Sequence, residues 1–118
     1  MIATYEYTLQ NAYDAFNNRD ADAVLQLMVE NVHWPNGWEG GYVEGKDAVK
    51  AYWLRQWKEI NPAVTPTSYK EAGPDLVEVT VHQVVKDLDG NLLSDGFVKH
   101  VYSFENGLIS RMEIEKDM

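Results

Sequence analysis

The periodicity of apolar residues changes near Pro62, and that change restricts the fold more than any single motif does. Before it, large side chains recur at helical spacing; after it, they alternate along extended runs separated by turn dipeptides. Residues 76–87 are strongly β-branched, Asp89-Gly90 makes a hairpin turn, residues 94–105 return, and Asn106-Gly107 turns the chain into residues 108–116. Residues 65–72 read as one more strand. Pro66 assigns it to a sheet edge, because proline has no N–H to give to a ladder. Gly73-Pro74-Asp75 is the turn that follows it. Helices first and an antiparallel meander second make an α+β chain.

The helical half resolves into three segments. Tyr5, Leu9, Ala12, Tyr13 and Phe16 draw one apolar stripe along residues 3–18. Asp20 caps a shorter helix over residues 21–28, with Val24, Leu25 and Met28 inward. Val32-His33-Trp34 is a short strand. After Gly45, Val49, Tyr52, Trp53, Gln56, Trp57 and Ile60 predict a helix over residues 46–60, which Pro62 stops. Between strand and helix lies His33-Trp34-Pro35-Asn36-Gly37-Trp38-Glu39-Gly40-Gly41, a turn-rich segment carrying two indoles.

With 118 residues the chain fits one domain, 1–118, large enough to bury a core without staples. It has no cysteine, so disulfides and thiolate metal sites are excluded. No apolar run approaches the roughly 18 residues of a membrane span, and the first residues lack a leader pattern. A soluble, cytoplasmic protein without a membrane partner is the expectation. The net charge of -9 and the lack of a basic stripe argue against nucleic acid. The histidines at 33, 82 and 100 lack the spacing of a metal-binding helix, and no glycine-rich phosphate loop or nucleophile elbow is present. No metal or cofactor is expected.

Three stretches carry a resemblance. "YDAFNNRDADAVLQLMVENVHW" looks like helix, Asn-x-x-Asp break, short helix and strand; "VEGKDAVKAYW" resembles a Gly-Lys-Asp-Ala-Val helix start; "HVYSFENGLISRMEI" resembles a closing hairpin. Together they resemble the nuclear transport factor 2-like superfamily, nearest to its SnoaL-like and ketosteroid isomerase-like branch, over essentially the whole chain. The resemblance implies a cone-shaped, cystatin-like fold, with three N-terminal helices packed in a curved, mainly antiparallel sheet around an apolar pocket. It also implies a homodimer through the outer sheet face. Activity is not implied, because the same cone hosts several chemistries and non-catalytic subunits.

Strand parity then selects candidates. His100 shares a face with Val98, Tyr102 and Phe104, so it points inward. In the resemblance it stands where the isomerases carry a buried, protonated carboxylic acid, and a histidine there donates a hydrogen bond or exchanges a proton. The bland alternative is a core histidine bonded to a backbone carbonyl. The isomerases' helix-one tyrosine aligns with Ala12, leaving Tyr13 about 100° around the helix. Their aspartate base falls in Trp34-Pro35-Asn36, which has no carboxylate; the nearest is Glu39. Trp34 and Asn36 have the spacing of the epoxide hydrolases' tyrosine and asparagine, but an indole only donates. Ile114 stands where those enzymes carry an aspartate. His82 shares a face with Glu78 and Thr80, opposite Val77, Val79 and Val81, and enters the pocket only if a bulge inverts that parity. His33 reads as outward.

The catalytic candidates are therefore His100, Asn36 and His82. Tyr13, Trp34, Trp38, Trp53, Tyr102 and Met112 are candidate ligand-binding walls, with Trp38 as rim or lid. Two readings follow: an acid–base isomerase, cyclase or dehydratase acting on a small apolar or aromatic molecule, or a non-catalytic binding or dimeric scaffold domain.

Overall fold

The computed structural model describes residues 2–116. Its elements run α1 (Ile2–Asn17), α2 (Ala21–Leu25), β1 (Met28–Pro35), β2 (Tyr42–Glu44), α3 (Lys46–Glu59), β3 (Ile60–Gly73), β4 (Leu76–Asp87), β5 (Leu92–Glu105) and β6 (Leu108–Lys116). The strands form one six-stranded sheet in the order β2-β1-β6-β5-β4-β3. Every neighbouring pair is antiparallel except β1 with β6, which is parallel. The helices pack on the concave side of this curved sheet, as expected for a cystatin-like fold.

Several boundaries differ from the sequence reading, among them the start of β3, at Ile60 rather than residue 65. The second helix stops at Leu25 rather than at residue 28, because Met28 begins β1 opposite Ile109 and is 1% exposed there. β1 consequently spans eight residues instead of three. Tyr42–Glu44 adds a short strand that carried no periodic signal, held by pairing with His33, Trp34 and Pro35. Finally, α3 ends at Glu59 and the chain is already extended at Ile60, so Pro62 does not stop the helix. It sits inside β3 opposite Val85, where an edge strand tolerates its missing donor.

Two polar devices hold α1 over that edge. Asn17 donates from Nδ2 to the Val64 carbonyl at 2.7 Å and accepts from the Val64 N–H at 3.0 Å, so one side-chain amide satisfies both backbone groups of an edge residue. Arg19, in the left-handed region at φ 62, turns the chain out of α1. Its guanidinium donates to the carbonyls of Phe16 and Pro62 and lies over the Phe16 and Trp57 rings. These contacts offset the strain of that backbone conformation.

The core lies between helices and sheet. Val77, Val79 and Val81 on the inner face of β4 are fully buried, each worth roughly 1.5–3 kcal/mol of apolar burial. They face Leu9, Val49 and Trp53 from the helices within the same cluster.

Candidate functional site

The inner sheet face does not fill the space beneath the helices. A cavity of about 800 Å³ remains, lined by residues of α1, α3, the strands and the loop that follows β1. Five strands contribute inner-face residues, Trp34 from β1, Val64 from β3, Gln83 and Val85 from β4, Val98, His100 and Tyr102 from β5, Met112 and Ile114 from β6, and Tyr42 of β2 lines the cavity as well. Most of this wall is apolar, which suits a small organic molecule.

At the buried end three polar side chains form one chain. Tyr102 donates its hydroxyl proton to the Tyr13 oxygen at 2.7 Å, and Tyr13 stands 2.7 Å from Nδ1 of His100. Tyr13 has a single proton to give. With Tyr102 donating into it, the arrangement that spends that proton within the chain directs it to Nδ1 and leaves His100 its own on Nε2. Tyr102, Tyr13 and His100 are 3%, 4% and 6% exposed, so the chain is shielded from bulk water. Burial lowers the His100 pKa from 6.5 to about 4, which makes the ring neutral near pH 7. Burial likewise holds both phenols protonated, well above their ordinary range. Nε2–H, without a hydrogen-bond partner among the described residues, is thus the polar atom His100 offers the cavity.

The rotation of Tyr13 relative to the isomerases' tyrosine does not take it out of the site. Both Ala12 and Tyr13 line the cavity, because the helix lies across the open sheet and presents a broad face to it. Trp34, Trp53, Tyr102 and Met112 line it as well, with Trp34 packed edge-on against Trp53 at 5.6 Å between ring centres.

The indole-rich loop stands at the mouth. Asn36 is buried and lines the cavity, yet its amide is spent on the loop itself. Its Oδ1 accepts from the N–H groups of Trp38 and Glu39, and its Nδ2 donates to Glu39 Oε1 at 2.9 Å. Arg55 of α3 reaches the same Oε1 at 2.8 Å. The Arg55 and Asn36 hydrogen bonds lower the Glu39 pKa. Gly40 and Gly41 take positive φ to close the turn, a conformation that favours glycine, and a Cβ on Gly37 would press on Ile114 Cδ1 at 3.2 Å. Trp38 is 36% exposed and lines the cavity from this loop.

His82 lies elsewhere. The β4–β5 ladder keeps regular register from Leu76 to Val85, so no bulge inverts its parity, and His82 occupies the outer face. There its Nε2 meets Asp95 at 2.6 Å and its ring stacks on Phe97. His33 is also outside the cavity, bonded to Glu44 and stacked on Tyr42. Among the described residues no group of three potential ligands could hold a metal ion. No helix among them is long and apolar enough to cross a membrane.

Among the cavity residues absent from the sequence reading's candidates is Gln83 on β4. The signal was available, since Gln83 continues the parity of Val77, Val79 and Val81 as the first polar residue on that face.

A model of the SnoaL-like domain matches residues 9–112. The chain belongs to the SnoaL-like family. No curated protein matches it by sequence. Among solved structures, this SnoaL-like protein is similar to an NTF2-like protein of unknown function from Burkholderia pseudomallei, at 26% identity and TM-score 0.83, covering 97% of this chain and 91% of that one. TerC, co-crystallised with polyporic acid, is 24% identical at TM-score 0.83, with 97% and 92% covered. A Mycobacterium tuberculosis protein in complex with estradiol-17beta-hemisuccinate is 19% identical at TM-score 0.81, with 98% and 95% covered. The last two likenesses establish the shared fold. The family, the fold and the apolar cavity together describe a ligand-binding NTF2-like protein.

Proposed function

We propose that this protein binds a flat apolar or aromatic molecule through one oxygen, a carbonyl or a hydroxyl, that accepts from Nε2–H of His100. The observation that carries this reading is the Tyr102–Tyr13–His100 chain, which fixes a neutral donor at the buried end of a mostly apolar cavity. Trp34, Trp53, Tyr102 and Met112 supply walls, Tyr13 orients the imidazole, and Trp38 serves as rim or lid. The ligands named for two neighbours, polyporic acid and an estradiol ester, are of the same apolar, oxygen-bearing kind.

A catalytic reading rests on the same chain. A neutral donor in a dry site stabilises negative charge developing on a carbonyl oxygen, as enolisation in an isomerase, cyclase or dehydratase requires. Asp95 is the one carboxylate on the cavity lining, and its side chain is half exposed and bonded to His82. Binding is therefore the better supported of the two readings.

The test is isothermal calorimetry with estradiol and with its parent hydrocarbon frame lacking oxygen. The reading expects the wild type to prefer the oxygenated probe and His100→Leu to weaken that probe about tenfold, the scale of one buried hydrogen bond. Equal affinity of variant and wild type would remove His100 from the site.

We also infer a homodimer through the outer sheet face, where Phe97 and Leu93 are 57% and 56% exposed beside half-buried Val84 and Val101. A second copy would cover these side chains. Sedimentation should give a dimer for the wild type and a monomer for Phe97→Lys; a wild-type monomer contradicts it.

A further inference from the structure

The inner face of β4 reads Val77, Val79, Val81, Gln83, Val85. Val77, Val79 and Val81 are fully buried core residues, whereas Gln83 and Val85 line the cavity, so an amide stands where the inner face of β4 passes from core to cavity. No described residue hydrogen-bonds to that amide. Gln83 lies between Val64 on β3 and Gly96 on β5, its two register partners. Gly96 has no side chain to cover the amide, and a Cβ there would meet nothing within 4 Å. The cavity itself is the remaining neighbour, and Gln83 lines it.

Its position relative to the buried chain is set by the ladder. His100 pairs with Val79, and Gln83 is four residues further along the same strand. At the rise of an extended strand that places the two levels about 13 Å apart. Val98 and Met112 contribute apolar wall to the same cavity. The cavity therefore offers one polar side chain at the level of His100 and another at the level of Gln83. Its charge is equally specific: no lysine or arginine lines it among the described residues, and Asp95 on its lining turns its carboxylate to His82 on the outer face. An anionic group at the Gln83 end would meet no counter-charge.

We propose that Gln83 is a second polar anchor, and that the ligand is a neutral, elongated molecule bearing a hydroxyl or carbonyl at each end. This rests on the reading of His100 as the first anchor. A glutamine amide both donates and accepts, so it selects for a polar group at that end while accepting either a hydroxyl or a ketone.

Estradiol, with a hydroxyl at each end of a rigid frame, is the probe, together with its two analogues that each lack one hydroxyl. Dissociation constants are measured for the full chain and for Gln83→Leu, a substitution that extends the apolar face. The wild type should bind estradiol about tenfold more tightly than either analogue. Gln83→Leu should erase the advantage over one analogue, to within about twofold, and leave the advantage over the other. If both advantages survive in Gln83→Leu, or if the wild type favours estradiol over only one analogue, Gln83 is no anchor and the His100 reading stands alone; if it favours estradiol over neither, both readings fail. If the wild type binds none of the three, the His100 reading fails with it.

Discussion

Two histidines on adjacent strands make opposite use of the same side chain. His100 on β5 faces inward at 6% exposure and takes a phenol as its partner. His82 on β4 faces outward and takes a carboxylate, with a side chain 37% exposed. Burial without a charged partner lowers the His100 pKa, so the inner ring is a neutral, directional donor. The outer pair is an exposed contact of a kind that contributes little to stability. Inner and outer positions on one sheet thus differ in chemistry because of solvent access and partner, not residue type.

The largest effect that would sharpen this contrast is in the pH dependence of stability. His100 has a folded pKa of about 4 against 6.5 unfolded, so the unfolded chain takes up its proton first as pH falls. Stability is unaffected by this group above pH 6.5 and is lost as pH falls from 6.5 towards 4. The loss is about 3 kcal/mol when complete. Denaturant titrations of wild type and His100→Gln should therefore converge as the pH is lowered through that window. Parallel curves would mean that the ring is not buried neutral.

Next in size is Tyr13→Phe. It removes one oxygen but strands two buried groups, the Tyr102 hydroxyl and His100 Nδ1, so a loss of about 2 kcal/mol is expected. Chemical denaturation checks it, and a neutral outcome would show that the chain is not a connected unit. His82→Ala is the smallest, within about 0.5 kcal/mol, with ligand affinity unchanged. A large loss of affinity there would break the division between inner and outer faces.

The same contrast explains what could be read from the sequence. His100, Trp34 and Tyr102 were legible because regular strands fix which way alternate side chains point, and an inward histidine among apolar neighbours stands out. His82 was left to a bulge whose absence only the ladder reveals. Tyr13 is legible as a pocket wall on the helix-one stripe, whereas its partnership with His100, 87 residues away, is a tertiary fact. Asn36 was recognised as a polar group beside the pocket, but short local hydrogen bonds to Trp38 and Glu39 claim its amide. β2 escaped notice because three residues carry no period, and its pairing with β1 is what makes it a strand. The fold was legible almost throughout, because alternation and turn dipeptides encode it locally; the site was legible only where it depends on parity.

The central claim is that His100 presents a neutral Nε2–H to the cavity, held there by Tyr13. Nitrogen NMR of the histidine side chains at neutral pH, with estradiol added stepwise, tests it directly. The account predicts that the His100 ring is neutral with its proton on Nε2, and that the Nε2 resonance moves as the probe binds. A protonated ring, a proton on Nδ1, or binding that leaves Nε2 unmoved would contradict it.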